Sequence, residues 1–362
     1  MEHKNHYVII MAGGVGTRFW PMSRKTFPKQ FHDILGTGRT LIQETFDRFH
    51  SFIPAENIYV VTNDRYFDLV KEQLPKLSDN QVLLEPMGRD TAPCVAYACF
   101  KINKINPNAS FVVSPADHLI EKRDVFEHNI KLGLSAVESQ DIIMTLGITP
   151  TRPDTGYGYI QYIEDETDNG YYKVKTFTEK PNLEVAKSFI ESGDFLWNGG
   201  IFLFSGKTIL GAFHENLPET AELFAGISSD YYTDGEQAAV NQAYSTCKPI
   251  SIDYGIMEKA PNVFTIPSDF GWSDLGTWGS VYENSEHDDL GNALQGNHIL
   301  HYKSSGNIVQ VKDPNKVVVL DGLENFIVID TGDALLVCKK DDEQFIKKIV
   351  GDLKSRYEEQ FI

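Results

Sequence analysis

Cysteine is scarce in this chain. Four occur in 362 residues (Cys94, Cys99, Cys247 and Cys338), with no CxxC or other metal-ligand spacing. That excludes a disulfide-stapled framework and a zinc-ribbon type of site, and leaves buried thiols suited to a reducing compartment. Long apolar runs are also missing. The N-terminal run is about six residues, too short to span a bilayer, and it passes into glycines without a signal-peptide core or cleavage site. A cytoplasmic protein without a membrane partner is expected. Positive charge is the third shortage. Lys and Arg number 33 against 51 Asp and Glu, a formal net charge of -18. So acidic a surface does not wrap a nucleic-acid backbone, and no nucleic-acid partner is expected.

What is present is enough for a large domain and a smaller one. The apolar content, 41%, is ordinary for a globular protein. Apolar, β-branched runs recur at 7–11, 58–62, 81–85, 110–114 and 142–147. Segments with helical spacing separate them, for example Tyr66, Leu69, Val70 and Leu74. Alternating strands and helices predict βαβ units and a mostly parallel, Rossmann-like sheet, with ligands bound outside the carboxyl ends of the strands. Residues 155–181 alternate aromatic and polar side chains around an acidic turn and predict a hairpin. Helices are expected at 183–192, 207–214, 219–225 and 235–245. After about residue 288 short strands recur every eight to ten residues, which predicts a small all-β unit, flat or solenoidal, closed by an amphipathic helix near 341–359. The expected domains are 1–287 and 288–362, with the boundary at the turn-rich His287-Asp288-Asp289 and Gly291-Asn292.

Against the acidic background one loop stands out. Residues 3–32 carry five Lys or Arg (Lys4, Arg18, Arg24, Lys25, Lys29) and no Asp or Glu. They include Met11-Ala12-Gly13-Gly14-Val15-Gly16-Thr17-Arg18, directly after the first strand. A Walker loop requires Gly-Lys-Ser/Thr, where this chain has Gly16-Thr17-Arg18. A dinucleotide fingerprint counted from Gly14 meets Phe19 at its last glycine position. The remaining pattern is Gly-Gly-x-Gly-Thr-Arg followed by Pro28-Lys29. Its glycines let backbone N–H groups approach phosphate oxygens, Arg18 adds a planar charged fork, and Lys29 adds a point charge. A glycine turn with a solvated basic face is the competing reading of the loop alone.

The loop with Pro28-Lys29 resembles the signature of the sugar-1-phosphate nucleotidyltransferases. Later segments resemble one branch of that family, the mannose-1-phosphate guanylyltransferases. These are Glu85-Pro86-Met87-Gly88-Arg89-Asp90-Thr91, Ser114-Pro115-Ala116-Asp117-His118, Phe177-Thr178-Glu179-Lys180-Pro181, Trp197-Asn198-Gly199-Gly200, Ser251-Ile252-Asp253-Tyr254 and Gly271-Trp272-Ser273-Asp274. They occur in family order across residues 7–280. The resemblance implies a GT-A-like nucleotidyltransferase domain with a small C-terminal β-helix-like domain. It also implies GTP and mannose 1-phosphate as substrates, GDP-mannose and diphosphate as products, and Mg²⁺ as cofactor.

Residue roles follow from the same resemblance. Arg18, Lys29 and Lys180 are the expected catalytic cations. Ala12, Gly13, Gly14, Gly16, Thr17, Arg18, Lys29, Glu85, Gly88, Arg89, Asp90, Thr91 and Asp117 are expected to bind the nucleotide. Gly158, Glu179, Lys180, Asn198 and Asp253 are expected at the sugar phosphate. Asp117 and Asp274 are the expected metal ligands. By residue type alone, Asp117 could equally cap a helix, and Asp253 and Glu258 serve either the sugar or a helix cap. His118 is read as structural. Guanine differs from adenine by its N1 and N2 donors, so a carboxylate such as Glu85, or a backbone carbonyl, would select it. No general base is needed, because a sugar phosphate with a second pKa of about 6 is already a nucleophile at neutral pH.

Three positions depart from the family pattern. Asp90 stands where Asn is usual, Thr178 replaces Val, and Gly199 replaces Ser or Ala. They bear on nucleotide and sugar preference rather than on the phosphate and metal residues. Longer members continue into a phosphomannose isomerase domain, and a single activity is expected of these 362 residues. A transferase for another sugar 1-phosphate (GDP-heptose, UDP- or dTDP-hexose) and a silent nucleotide-sugar-binding subunit are the alternatives. The second conflicts with the joint presence of Arg18, Lys29, Asp117, Lys180 and Asp274. The C-terminal β unit is expected to pair subunits into a homodimer.

Overall fold

The computed structural model describes residues 4–164 and 169–362. The chain divides into two compact units. The first comprises Met1–Gly13, Thr45–Ala116 and Ile120–Trp272; the second comprises Gly14–Glu44, Asp117–Leu119 and Ser273–Ile362.

The first unit is built on a nine-stranded sheet. In spatial order its strands are Val82–Glu85, Ile58–Asn63, His6–Met11, Ser110–Pro115, Phe195–Ser205, Ile143–Ile148, Val263–Ser268, Tyr172–Glu179 and Gly158–Ile163. The first four pair in parallel, as the β-branched runs separated by helices require. Phe195–Ser205 then runs antiparallel to both Ser110–Pro115 and Ile143–Ile148, so the sheet is mixed. This strand and Val263–Ser268 are not evident from the sequence pattern. Phe-Leu-Trp-Asn-Gly-Gly-Ile-Phe-Leu-Phe-Ser is apolar on both faces, which erases the two-residue alternation, and its glycine pair imitates a break. The expected hairpin forms between Gly158–Ile163 and Tyr172–Glu179. Its acidic turn at 165–168 lies outside the described residues.

Helices Leu183–Ser192, Gly206–Asn216, Pro218–Gly226 and Glu236–Thr246 match the periodic segments. Two carry capping side chains, with Asn182 Oδ1 accepting from Val185 N at 3.0 Å and Ser205 Oγ from Thr208 N at 3.1 Å. Helix Thr91–Ile105 is apolar almost all round and is buried with Phe111, Phe204, Phe224 and Tyr244 in one core.

The second unit contains the C-terminal strands. Ala293–Gln295, Ile308–Val311 and Phe326–Asp330 pair in parallel, and Leu335–Lys339 closes that sheet antiparallel. His298–Tyr302 and Val317–Asp321 form a second parallel pair. Parallel pairing of strands that recur at short, regular intervals makes the unit solenoidal. The terminal amphipathic segment begins as a 3₁₀ turn, Lys340–Phe345, and continues as an α-helix, Ile346–Tyr357. The basic segment 14–44 belongs to this unit too. Phe19, Trp20, Met22, Ile34 and Leu41 share an apolar cluster with Leu275, Trp278, Ile308, Ile327, Leu336 and Ile346. Arg24 makes a two-pronged pair with Asp333 at 2.6 and 2.8 Å, and Gln310 Nε2 donates to the Ile34 carbonyl at 2.8 Å.

Candidate active site

The residues named from the sequence fall into three groups, one in the second unit and two in the first. Gly14, Gly16, Thr17, Arg18, Lys29, Asp117 and Asp274 all belong to the second. There Gly16 adopts a left-handed conformation (φ 72°), and a Cβ on it would sit 2.6 Å from the Lys29 Cβ. Only glycine therefore lets the loop close onto Lys29. The Val15 carbonyl accepts from Lys29 N at 3.2 Å and from Ser23 Oγ at 2.7 Å, which ties the loop to Pro28-Lys29.

Lys29 is 3% exposed, and its ammonium is fully engaged. It donates to Asp117 Oδ2 and to the Asp274 carbonyl, each at 2.9 Å, and lies 5.2 Å from the centre of the Phe19 ring. Lys29 thus clamps the two aspartate segments, a role its point-charge reading from the sequence did not contain. Burial alone would raise the Asp117 carboxyl, but the Lys29 ammonium and His118 outweigh it and hold it below the usual range. Asp274 is fixed by a tight turn in which its Oδ1 accepts from Gly276 N at 3.0 Å. Arg18, Lys29, Asp117 and Asp274 line one cavity of about 470 Å³ together with His118 and Lys347. Lys347 is a cavity residue that the sequence reading missed. Its surroundings, a run of charges on a terminal helix, look like a solvated face.

The second group centres on Glu85, at the carboxyl end of its strand. Glu85 is 6% exposed, and its Oε1 accepts from the Tyr244 hydroxyl at 2.9 Å. Its Oε2 is turned toward Gly13, where an added Cβ would stand 3.4 Å away. Burial pushes this carboxyl up to about 7, against the lowering effect of the Tyr244 bond. The Glu85 main-chain carbonyl is already taken by Asn63 Nδ2 at 3.1 Å. Ala12 is held to the neighbouring strand by its N–H to the Val61 carbonyl at 2.8 Å. The Gly88–Thr91 turn is anchored elsewhere. Arg89 Nε donates to the Tyr244 carbonyl at 3.2 Å, and the Thr91 hydroxyl accepts from Ile252 N at 2.9 Å. Asp90 has φ 61° and ψ -168°, a backbone region that glycine alone adopts freely, so the turn is strained at this residue.

The third group is Gly158, Glu179, Lys180, Asn198 and Asp253. Asn198 Nδ2 donates to Asp253 Oδ1 at 2.9 Å, and Lys180 Nζ pairs with Glu179 Oε1 at 2.8 Å. A Cβ on Gly158 would overlap Glu179 Oε2 and crowd the Asn198 Cβ at 3.2 Å, so glycine there makes room for both. Asp253 opens a π-helical turn, Asp253–Met257, and its side chain faces Asn198 rather than serving as a helix cap. Burial, with Glu179 nearby, raises its carboxyl to about 6. Lys180 is lowered by burial but raised overall by Glu179 and Asp253. Gly199, the departure from Ser or Ala, has a plain cause, since a Cβ would stand 2.9 Å from the Leu146 carbonyl oxygen.

Comparison with known proteins identifies the family. Residues 7–290 match the family described as Nucleotidyl transferase, and residues 296–353 match the MannoseP isomerase/GMP-like beta-helix domain. A mannose-1-phosphate guanylyltransferase of Klebsiella pneumoniae is 34% identical over 370 residues, covering 98% of this chain and 75% of that protein. The alginate biosynthesis protein AlgA of Pseudomonas putida is 35% identical over 349 residues, covering 95% of this chain and 71% of that one. A crystal structure described as a mannose-1-phosphate geranyltransferase from Thermus thermophilus superposes with a TM-score of 0.87 at 30% identity, covering 97% of this chain and 99% of that one. The chain is therefore an enzyme of the nucleotidyl transferase family, a nucleotidyltransferase whose C-terminal strands form a β-helix of the MannoseP isomerase/GMP-like type.

Proposed function

We propose that this enzyme transfers the guanylyl group of GTP to α-D-mannose 1-phosphate, giving GDP-mannose and diphosphate, with Mg²⁺ as its metal. Family membership implies a nucleotide and a sugar phosphate as substrates, and a divalent metal is general in the family. The observation that carries the proposal is the cavity of the second unit, where Arg18 stands with a Lys29-clamped pair of aspartates.

Asp117 and Asp274 suit Mg²⁺. Both are hard oxygen donors, and Asp117 is kept ionised by Lys29. Among the described residues no group of three or more His, Cys, Asp or Glu could hold a metal, so substrate phosphate oxygens and water would complete the shell. The metal, when bound, neutralises charge on the nucleotide phosphates. An oxygen of the sugar phosphate attacks the α-phosphorus, the bond to the β-phosphate oxygen breaks, and diphosphate leaves with the electron pair. Positioning and charge stabilisation suffice for such a transfer. The glycine loop and Arg18 hold the triphosphate, and Lys29 holds the aspartates in place. Lys180 meets the sugar phosphate, while Glu179, Asn198 and Asp253 accept from or donate to sugar hydroxyls. Glu85 accepts from N1 and N2 of guanine, with Gly13 leaving its Oε2 uncovered.

The homodimer belongs to the same reading. Strands His298–Tyr302 and Val317–Asp321 turn Ile299, Val318 and Leu320 toward a small core and leave Leu300, Tyr302, Val317 and Val319 exposed. An apolar row on a paired strand face is suited to covering by a second copy. No helix among the described residues is long and apolar enough to cross a membrane. The four cysteines are free thiols, in keeping with a cytoplasmic setting.

The test is diphosphate release by the purified chain with Mg²⁺ and a panel of nucleotides and sugar phosphates. The highest kcat/KM is expected with GTP and mannose 1-phosphate. Release without preference for GTP removes the role given to Glu85, and no release with any sugar 1-phosphate removes the transferase reading. Light scattering at the 40.8 kDa monomer mass would remove the dimer.

A further inference from the structure

We propose that Lys347, on the C-terminal helix, is a phosphate-binding residue of this enzyme and grips the β- and γ-phosphates that leave as diphosphate. The inference rests on the transferase reading and assigns to it a residue outside the nucleotidyltransferase motifs.

Its placement is built, not incidental. Ile346, the preceding residue, is fully buried with Phe19, Trp20, Leu275 and Trp278, which sets the rotation of the helix about its axis. Burial of such a side chain is favourable, and it holds that register. The preceding turn is pinned twice, by Glu343 Oε2 accepting from Gly279 N at 2.7 Å and by Gln344 Oε1 accepting from Arg18 Nε at 3.3 Å. Beyond the helix, Trp20 Nε1 donates to the Phe361 carbonyl at 2.7 Å, and Lys25 pairs with Glu359. So held, Lys347 lines the same cavity as Arg18, Lys29, Asp117 and Asp274.

Charge decides what it does there. Lys29 spends its ammonium on Asp117 and the Asp274 carbonyl. Arg18 bonds only the neutral Gln344 amide, and Lys347 has no hydrogen bond or ion pair among the described residues. The cavity therefore carries three cations, Arg18, Lys29 and Lys347, against the two carboxylates of Asp117 and Asp274, in a chain of net charge -18. A triphosphate carries more negative charge than one arginine offsets. Lys347 is the remaining side chain of the right sign, and a flexible ammonium suits the terminal phosphates, which must be released after transfer.

Two measurements test this. In steady-state kinetics, Lys347→Met is expected to raise KM for GTP, and for diphosphate in the reverse direction, about tenfold. KM for mannose 1-phosphate should stay unchanged, and Lys347→Arg should restore most of the loss. Calorimetric titration with inorganic diphosphate and Mg²⁺ reads the same contact without turnover, so it stands even if GTP and mannose 1-phosphate prove not to be the substrates. Weaker diphosphate binding in Lys347→Met, recovered in Lys347→Arg at unchanged Tm, supports the assignment. Equal binding in all three proteins overturns it. So does a loss shared by every substrate together with a lowered Tm, which would mark a packing role.

Discussion

Asp117 and Asp253 are the same side chain in opposite settings. In the second unit, Asp117 has the Lys29 ammonium 2.9 Å away and is held below the ordinary carboxylate range. In the first, Asp253 is buried beside Glu179 and raised to about 6, and Glu85 is raised to about 7. The difference follows the ligands each region is proposed to meet. A residue that holds a cation among phosphates must stay ionised at every working pH. A residue that reads hydroxyls or base N–H groups gains directionality from burial, and its protonation near neutrality is the result.

The largest effect should come from removing the two aspartates whose segments Lys29 clamps. Asp274→Asn and Asp117→Asn are each expected to lower kcat by about 10³ or more with the fold intact, checked by turnover and circular dichroism. Equal losses in Asp253→Asn would break the contrast between the two regions. Next, Lys29→Met should cost about 10²-fold in kcat and raise the Mg²⁺ concentration needed for half-maximal rate, because both aspartate segments lose their clamp. A smaller effect is expected at Glu85. Glu85→Gln should reduce the preference for GTP over ATP about tenfold, and the rise of kcat/KM for GTP with pH through about 7 should disappear.

The same carboxyl makes a stability prediction. Its folded pKa lies above the unfolded value, so its contribution is fully present below about 4.5 and is lost as pH rises through about 7. Glu85→Gln should therefore raise Tm by about 2 °C at pH 8 and leave it unchanged at pH 5. Smallest of all is Asp253→Asn. KM for mannose 1-phosphate should fall between pH 5 and 7 in the native chain, as Asp253 and the substrate both ionise. The variant should keep only the substrate's own limb.

Much of this was legible in the sequence, and the exceptions share a cause. The glycine-rich basic loop could be read because its glycines and basic residues lie within a single stretch of chain. The first strands could be read because β-branched runs alternate with helical spacing. Phe195–Ser205 could not, since a strand buried on both faces has no polar phase to reveal its period. Nor could the grouping of residues 14–44 with 273–362, because apolar partners such as Trp20 and Ile346 are joined only by tertiary packing. Lys29 as a clamp and Lys347 as a cavity residue belong to the same class. Each depends on neighbours remote in the chain, Lys29 on Asp117 at a separation of 88 and Lys347 on the cavity residues around Arg18 and Asp274.

That packing gives the chain a calendar. Gly16, Arg18 and Lys29 leave the ribosome before most strands of the first unit, yet the apolar cover beneath them, from Leu275 through Ile308 and Ile329 to Ile346, is made only after those strands. At about 5–20 residues per second the loop waits for tens of seconds with Phe19, Trp20 and Met22 unburied. The loop thus gains its apolar support only after the strands of the first unit have been made, and folding of residues 14–44 waits on Ser273–Ile362.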